Sequence, residues 1–108
     1  WSLGIILFEF LTGLPPFVEN DHATSLFHSI LEGEIPWEDC DDVELSPQAI
    51  HLITQLLQKD PAKRLGHGGA AEVKSHEFFA DIDWANVHSR KANFVPEFSD
   101  SLDTRYFE

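Results

Sequence analysis

The side chains best able to hold a metal or attack carbon are six histidines and one cysteine. His22, His28, His51, His67, His76 and His88 include no i, i+4 pair, and Cys40 stands alone. Zinc needs several ligands brought together, usually with a tight local pair, so this spacing argues against a metal centre. The acidic run around Cys40, DCDDVE, lacks the glycine and the ligand spacing of a calcium loop. Its carboxylates should raise the Cys40 pKa and leave the thiol a poor nucleophile. No nucleophile elbow occurs for a serine triad. GHGGAA, Gly66 to Ala71, fits the loose dinucleotide fingerprint G-x-G-x-x-A. That fingerprint works only where a strand precedes it and the glycines turn into a helix N-terminus beneath a phosphate. Here KDPAKRL precedes it, itself following a helical stretch, so the segment reads as a connection between helices. Residue by residue, the chain holds no complete active site.

The elements that would position these residues are helical. Leu3 to Leu11 is apolar in almost every direction around a helix, with Glu9 its one charge, which predicts a helix buried on all sides. Gly13 suits its C-cap, and Pro15-Pro16 cannot continue it. A second helix is expected from Asn20 or Asp21, with Ala23, Leu26, Phe27, Ile30 and Leu31 on its stripe and Gly33 at its end. Ser46 and Pro47 open a third, whose buried stripe is Ala49, Ile53, Leu56 and Leu57, flanked by Ile50 and Leu52. A fourth runs from Gly69 or Ala70 to Phe79. DWANVHSRK can make one or two further helical turns. Beyond it, Phe94, Val95, Phe98, Tyr106 and Phe107 are irregularly spaced, the pattern of a tail laid across another surface. No run alternates with period two, so no sheet is expected.

A length of 108 residues and 43% hydrophobic composition allow one modest core. The net charge of −12 argues against nucleic-acid partners and anionic membranes, and much of it falls in EGEIPWEDCDDVE, a solvated acidic loop. The opening apolar run falls short of the roughly 20 residues a membrane span needs, so no membrane insertion is expected. A single cysteine forms no internal disulfide and fits a reducing, intracellular setting, cytoplasmic or nuclear. Oligomeric state is not readable. A chain without methionine that opens inside a core helix and closes on aromatic residues is expected to be a piece of a longer one.

Four stretches, in order, carry a family resemblance. WSLGIILFEFLTGLPPF resembles the long hydrophobic helix at the heart of the C-terminal lobe of eukaryotic protein kinases. LITQLLQKDPAKRLG is similar to the segment that closes that lobe, with its Arg before Leu-Gly. HEFFADIDWANV resembles the H-x-F-F-x-x-I-D-W run of the AGC kinase group. FVPEFSDSLDTRYFE is similar to the start of the AGC C-terminal tail, with its Asp-Thr-x-Tyr-Phe signature. Within the group, GGAAEVKSHEFF is similar to microtubule-associated serine/threonine kinases and the plant incomplete-root-hair-elongation kinases.

The resemblance implies a mostly α chain: a fragment of the kinase-like fold, its helical C-terminal lobe over residues 1–79 and the partial C-terminal extension over 80–108. It implies a protein that transfers the γ-phosphoryl of ATP, with Mg2+, to Ser or Thr of protein substrates. The Gly-rich loop, the ion-paired Lys and the H-R-D and D-F-G motifs of that chemistry do not occur in this sequence. The chain alone is therefore expected to be inactive and to bind neither cofactor. A non-catalytic all-α interaction module is the competing reading. Ile6 and Phe10 match positions on which the family stacks its catalytic spine, a role hard to tell from core packing. Arg64 matches the Arg that pairs with the A-P-E Glu; without that partner it is expected to meet solvent or another acid. Trp84 matches the Trp that anchors the tail. Glu9 matches a residue that receives a substrate Arg, with pairing to an internal Arg as its plainer role. Phe107 matches the ring that closes over adenine, with pinning of the tail as its plainer role.

Overall fold

The computed structural model describes residues 1–18 and 25–107. Helix α1 is Ser2–Thr12, and it stops where expected: Gly13 takes a left-handed conformation (φ 86°) and its N–H donates to the Glu9 carbonyl at 2.8 Å. Helix α2 is Leu26–Glu32, with the Ser25 hydroxyl accepting the His28 N–H at 3.3 Å as its N-cap. The alternative starts at Asn20 and Asp21, and Ala23 of the expected stripe, lie outside the described residues. Helix α3 is Pro47–Leu56, opened by Ser46, whose hydroxyl accepts the Ala49 N–H at 3.1 Å. Helix α4 is Ala70–Lys74, shorter than expected. His76 breaks it, accepting the Phe78 N–H on its ring and starting a separate 3-10 turn at Glu77–Phe79. Further 3-10 turns cover Trp37–Cys40 and Val87–Ser89, and no strand occurs among the described residues.

The core gathers where α1 crosses α3. Leu52 and Ile53 are fully enclosed, and Phe8, Phe17 and Leu57 close around Ile53. A β-carbon added at Gly4 would lie 2.9 Å from Leu56 Cβ, so the absence of a side chain there lets the two helices meet. The stripe read for α3 is buried as expected; of the two residues read as flanking it, Leu52 is fully buried too, while Ile50 is exposed.

Helix α1 is not enclosed all round. Its neighbours α3 and the Phe17 segment cover one side, burying Phe8 to 2% exposure, whereas Ile6 is 47% and Phe10 82% exposed. With apolar residues on every face, nothing in the helix itself selects which one is covered.

From Ala80 to Phe107 every residue except Asp103 is exposed. Rather than lying across the helices, the tail closes on itself. Phe94 meets Tyr106 edge-on at 5.6 Å, and the Tyr106 hydroxyl accepts the Glu97 N–H at 3.0 Å.

Candidate functional site

The foot of α1 is a cluster of rings and cations. Trp1 stacks on Phe17 with centroids 5.8 Å apart. The Lys59 ammonium stands 4.2 Å over the Phe17 ring and donates to the carbonyls of Ser29 and Ile30, at 3.3 and 2.6 Å, in the last turn of α2. Desolvation pulls the Lys59 pKa below the ordinary lysine value. Arg64 lies 5.1 Å over the Trp1 ring, donating from Nε to the Gln58 carbonyl at 2.9 Å and from Nη2 to the Lys59 carbonyl at 3.2 Å. The sequence led us to expect solvent or another acid for Arg64, but the carbonyls left open just beyond α3 satisfy it instead. No carboxylate pairs with it among the described residues.

Ile6, Glu9 and Phe10 follow i, i+3, i+4 spacing and share the open face of α1. Glu9 is exposed and forms no ion pair among the described residues, so it is not the buried carboxylate its apolar neighbours suggested.

At the root of the tail, the Trp84 indole N–H donates to the Lys74 carbonyl at 3.1 Å and its ring meets Phe79 at 5.3 Å. Trp84 thereby joins the end of α4 to the Glu77–Phe79 turn. Further on, Asp103 organises a turn. Its carboxylate accepts the backbone N–H groups of Ser99 and Arg105 at 2.8 and 3.1 Å and pairs with the Arg105 guanidinium at 2.6 Å. The Arg105 bond, then the Ser99 amide, hold the Asp103 carboxyl well below the usual carboxylate range. Phe107 follows this turn with its ring 82% exposed.

Among the described residues, Cys40 and the glycine stretch singled out in the sequence are otherwise occupied. Cys40 borders a cavity of about 330 Å³ lined by Phe8, Thr12, Pro16, Phe17 and Val43. Its thiol donates to the Pro36 carbonyl at 3.5 Å, and burial, then Asp39 and Asp41, push its pKa up. In the glycine stretch, the Gly66 N–H donates to the Glu72 carboxylate at 2.8 Å, so the anion on that turn is the chain's own. Among the described residues, no three His, Cys, Asp or Glu converge to hold a metal ion. His22 lies outside them. His51 and His76 do come together, with ring nitrogens 2.7 Å apart. Their separation along the chain gave no periodic signal of it.

The family model described as "Protein kinase domain" matches residues 1–79. The chain is 50% identical over 107 residues, 99% of its length, to "Probable serine/threonine protein kinase IRE4" of Arabidopsis thaliana. It is 42% identical to "Serine/threonine-protein kinase RIM15" of Saccharomyces cerevisiae and 42% to "Serine/threonine-protein kinase greatwall" of Canis lupus familiaris, in both cases over 100% of its length. It spans only 10%, 6% and 12% of those three proteins.

Proposed function

The chain belongs to the protein kinase domain family, and we propose that it supplies the distal helical lobe, residues 1–79, and the first stretch of the C-terminal tail, residues 80–108, of an AGC-type serine/threonine kinase. The complete protein then moves the γ-phosphoryl of ATP to Ser or Thr of protein substrates, with Mg2+, in intracellular signalling in the cytoplasm or nucleus. One observation supports this reading: the match to "Probable serine/threonine protein kinase IRE4", 50% identical overall, covers 99% of the chain and so takes in residues 80–107 as well as the lobe segment.

ATP and Mg2+ belong to the complete protein. Among the described residues, the glycine turn is occupied by the Glu72 carboxylate. What this segment contributes is placement. The Lys59 and Arg64 cluster ties the ends of α2 and α3 to the foot of α1, and α1 presents Glu9, with Ile6 and Phe10, on an open face. Glu9 is available there for a substrate Arg, and Ile6 and Phe10 for spine residues stacked from outside the segment. Phe107, anchored at a distance by Trp84 and presented beyond the Asp103 turn, offers a flat apolar wall for adenine.

The test is transfer of labelled phosphate from ATP to a generic basic protein substrate. The complete gene product is expected to catalyse it with Mg2+, and the 108-residue chain is expected not to. An inert complete product that still binds protein partners would replace the enzyme with the non-catalytic interaction module.

A further inference from the structure

His51 on α3 and His76 ahead of the Glu77–Phe79 turn meet with Nδ1 of the first 2.7 Å from Nε2 of the second. Their ring centroids lie 5.0 Å apart with 25° between planes, so the rings meet edge to edge, as an in-plane N–H···N bond requires. The remaining His76 nitrogen is also committed, for Nδ1 accepts the Phe78 N–H at 3.0 Å. These contacts fix the tautomers. An accepting Nδ1 carries no proton, so neutral His76 bears its proton on Nε2 and donates it to His51 Nδ1, leaving the His51 proton on Nε2.

Such a pair has no place for another proton. Added to His76 Nδ1, it evicts the Phe78 N–H and uncaps the turn. Added to His51 Nδ1, it sets two N–H donors against each other at hydrogen-bond distance. We propose that His51 and His76 form a proton-operated latch that holds the Glu77–Phe79 turn on α3, closed while both rings are neutral and opened by one proton from solvent. Phe79 on that turn meets Trp84, so the latch also secures the root of the tail.

The charges around the pair leave the latch closed near neutrality. The α3 residues lining its cleft, Pro47 and Gln48, are uncharged, and Glu77 is the acid on its own turn. From α4, Glu72 is engaged by the Gly66 N–H and Lys74 lies 5.3 Å over Trp84. Desolvation, then His51, lower the His76 pKa, with Glu77 opposing them. A histidine pKa lower in the folded than in the unfolded state means that the unfolded state binds more protons. The latch's stabilisation is therefore complete above the ordinary histidine value of about 6.5 and is lost as pH falls below it.

Hydrogen–deuterium exchange by mass spectrometry on the complete gene product tests this, with rates normalised to intrinsic exchange. Between about pH 7.5 and about pH 5.5 the protection of the peptide carrying Phe78 should fall several-fold. In His76→Asn it should not change with pH, because the Asn side-chain oxygen can cap the Phe78 N–H without titrating. A pH-independent wild type, or an equal loss in the variant, overturns the latch. Should the variant fail to fold, exchange at the His76 ring C2–H in the wild type decides. A midpoint below about 6.5 is expected, and one at or above it overturns the proposal.

Discussion

Arg64 shows how one side chain can tie three parts of the chain together. Its guanidinium satisfies two carbonyls beyond the end of α3 and lies over the first residue of the chain, Trp1. Charge-assisted bonds of this kind contribute about 1.5–3 kcal/mol each when shielded, and less for a half-buried group. Arg64→Ala in the complete gene product should therefore cost about 1–3 kcal/mol in urea unfolding, and Arg64→Lys should recover only part of it, since a single ammonium cannot reproduce the fork. Full recovery by Lys would mean that charge over the indole matters and the forked bonds do not. Phe107 is the opposite case, a ring with little to hold it, 82% exposed. If it covers adenine, Phe107→Ala should raise the KM for ATP several-fold, in line with a stacking contribution of about 1–2 kcal/mol, and leave the KM for peptide unchanged. A loss of thermal stability with no change in the KM for ATP would make it a pin for the tail.

At the scale of elements, what could be read ahead depended on how one-sided each helix is. The α3 stripe was legible because Ala49, Ile53, Leu56 and Leu57 mark one face and Ser46-Pro47 mark the start. For α1 the helix itself was legible and its covered face was not, since apolar residues surround it and only packing selects Gly4 and Phe8 for burial. The fourth helix was read through to Phe79 because nothing local announced that His76 would cap a new turn. His76 and His51 are neighbours only after α3 and the Glu77–Phe79 turn have docked, and Arg64 acquired its partners in the same way. Trp84 and Phe107 were placed by resemblance alone, as no periodicity marks them. The α1–α3 contact itself rests on the missing side chain at Gly4. A methyl there meets Leu56 Cβ and Leu57 Cδ2 at 2.9 Å, closer than carbon atoms tolerate, and both belong to buried residues with little freedom to move. Gly4→Ala normally favours a helix, but here overpacking should outweigh that gain and destabilise by about 1–3 kcal/mol. Equal or higher stability in the variant, measured by thermal unfolding, would show that the two helices separate without cost.

At the scale of the whole molecule, the buried core of the described residues is small and gathers at the α1–α3 crossing. The radius of gyration is 17.2 Å, against about 13 Å for a compact chain of this length. Leu3, Ile6, Phe10 and Leu14 are 47%, 47%, 82% and 71% exposed, which leaves an apolar band along α1 and past its end. Phe27 and Leu31 add a second exposed pair on α2, at 77% and 70%. At about 25 cal/mol per Å² of apolar surface, covering a few such side chains contributes several kcal/mol, comparable with the whole net stability of a small domain. In the kinase lobe proposed above the α1 band would be an internal face, its stabilisation realised in the complete protein. The 108-residue chain expressed by itself should bind a hydrophobic dye and unfold without a sharp transition, or aggregate as it is concentrated. In the complete gene product the same residues should be protected from exchange and lose that protection in one cooperative step. A soluble monomer of the short chain with a sharp calorimetric transition would show that the contacts around Phe8 and Ile53 suffice, and that the exposed band needs no cover.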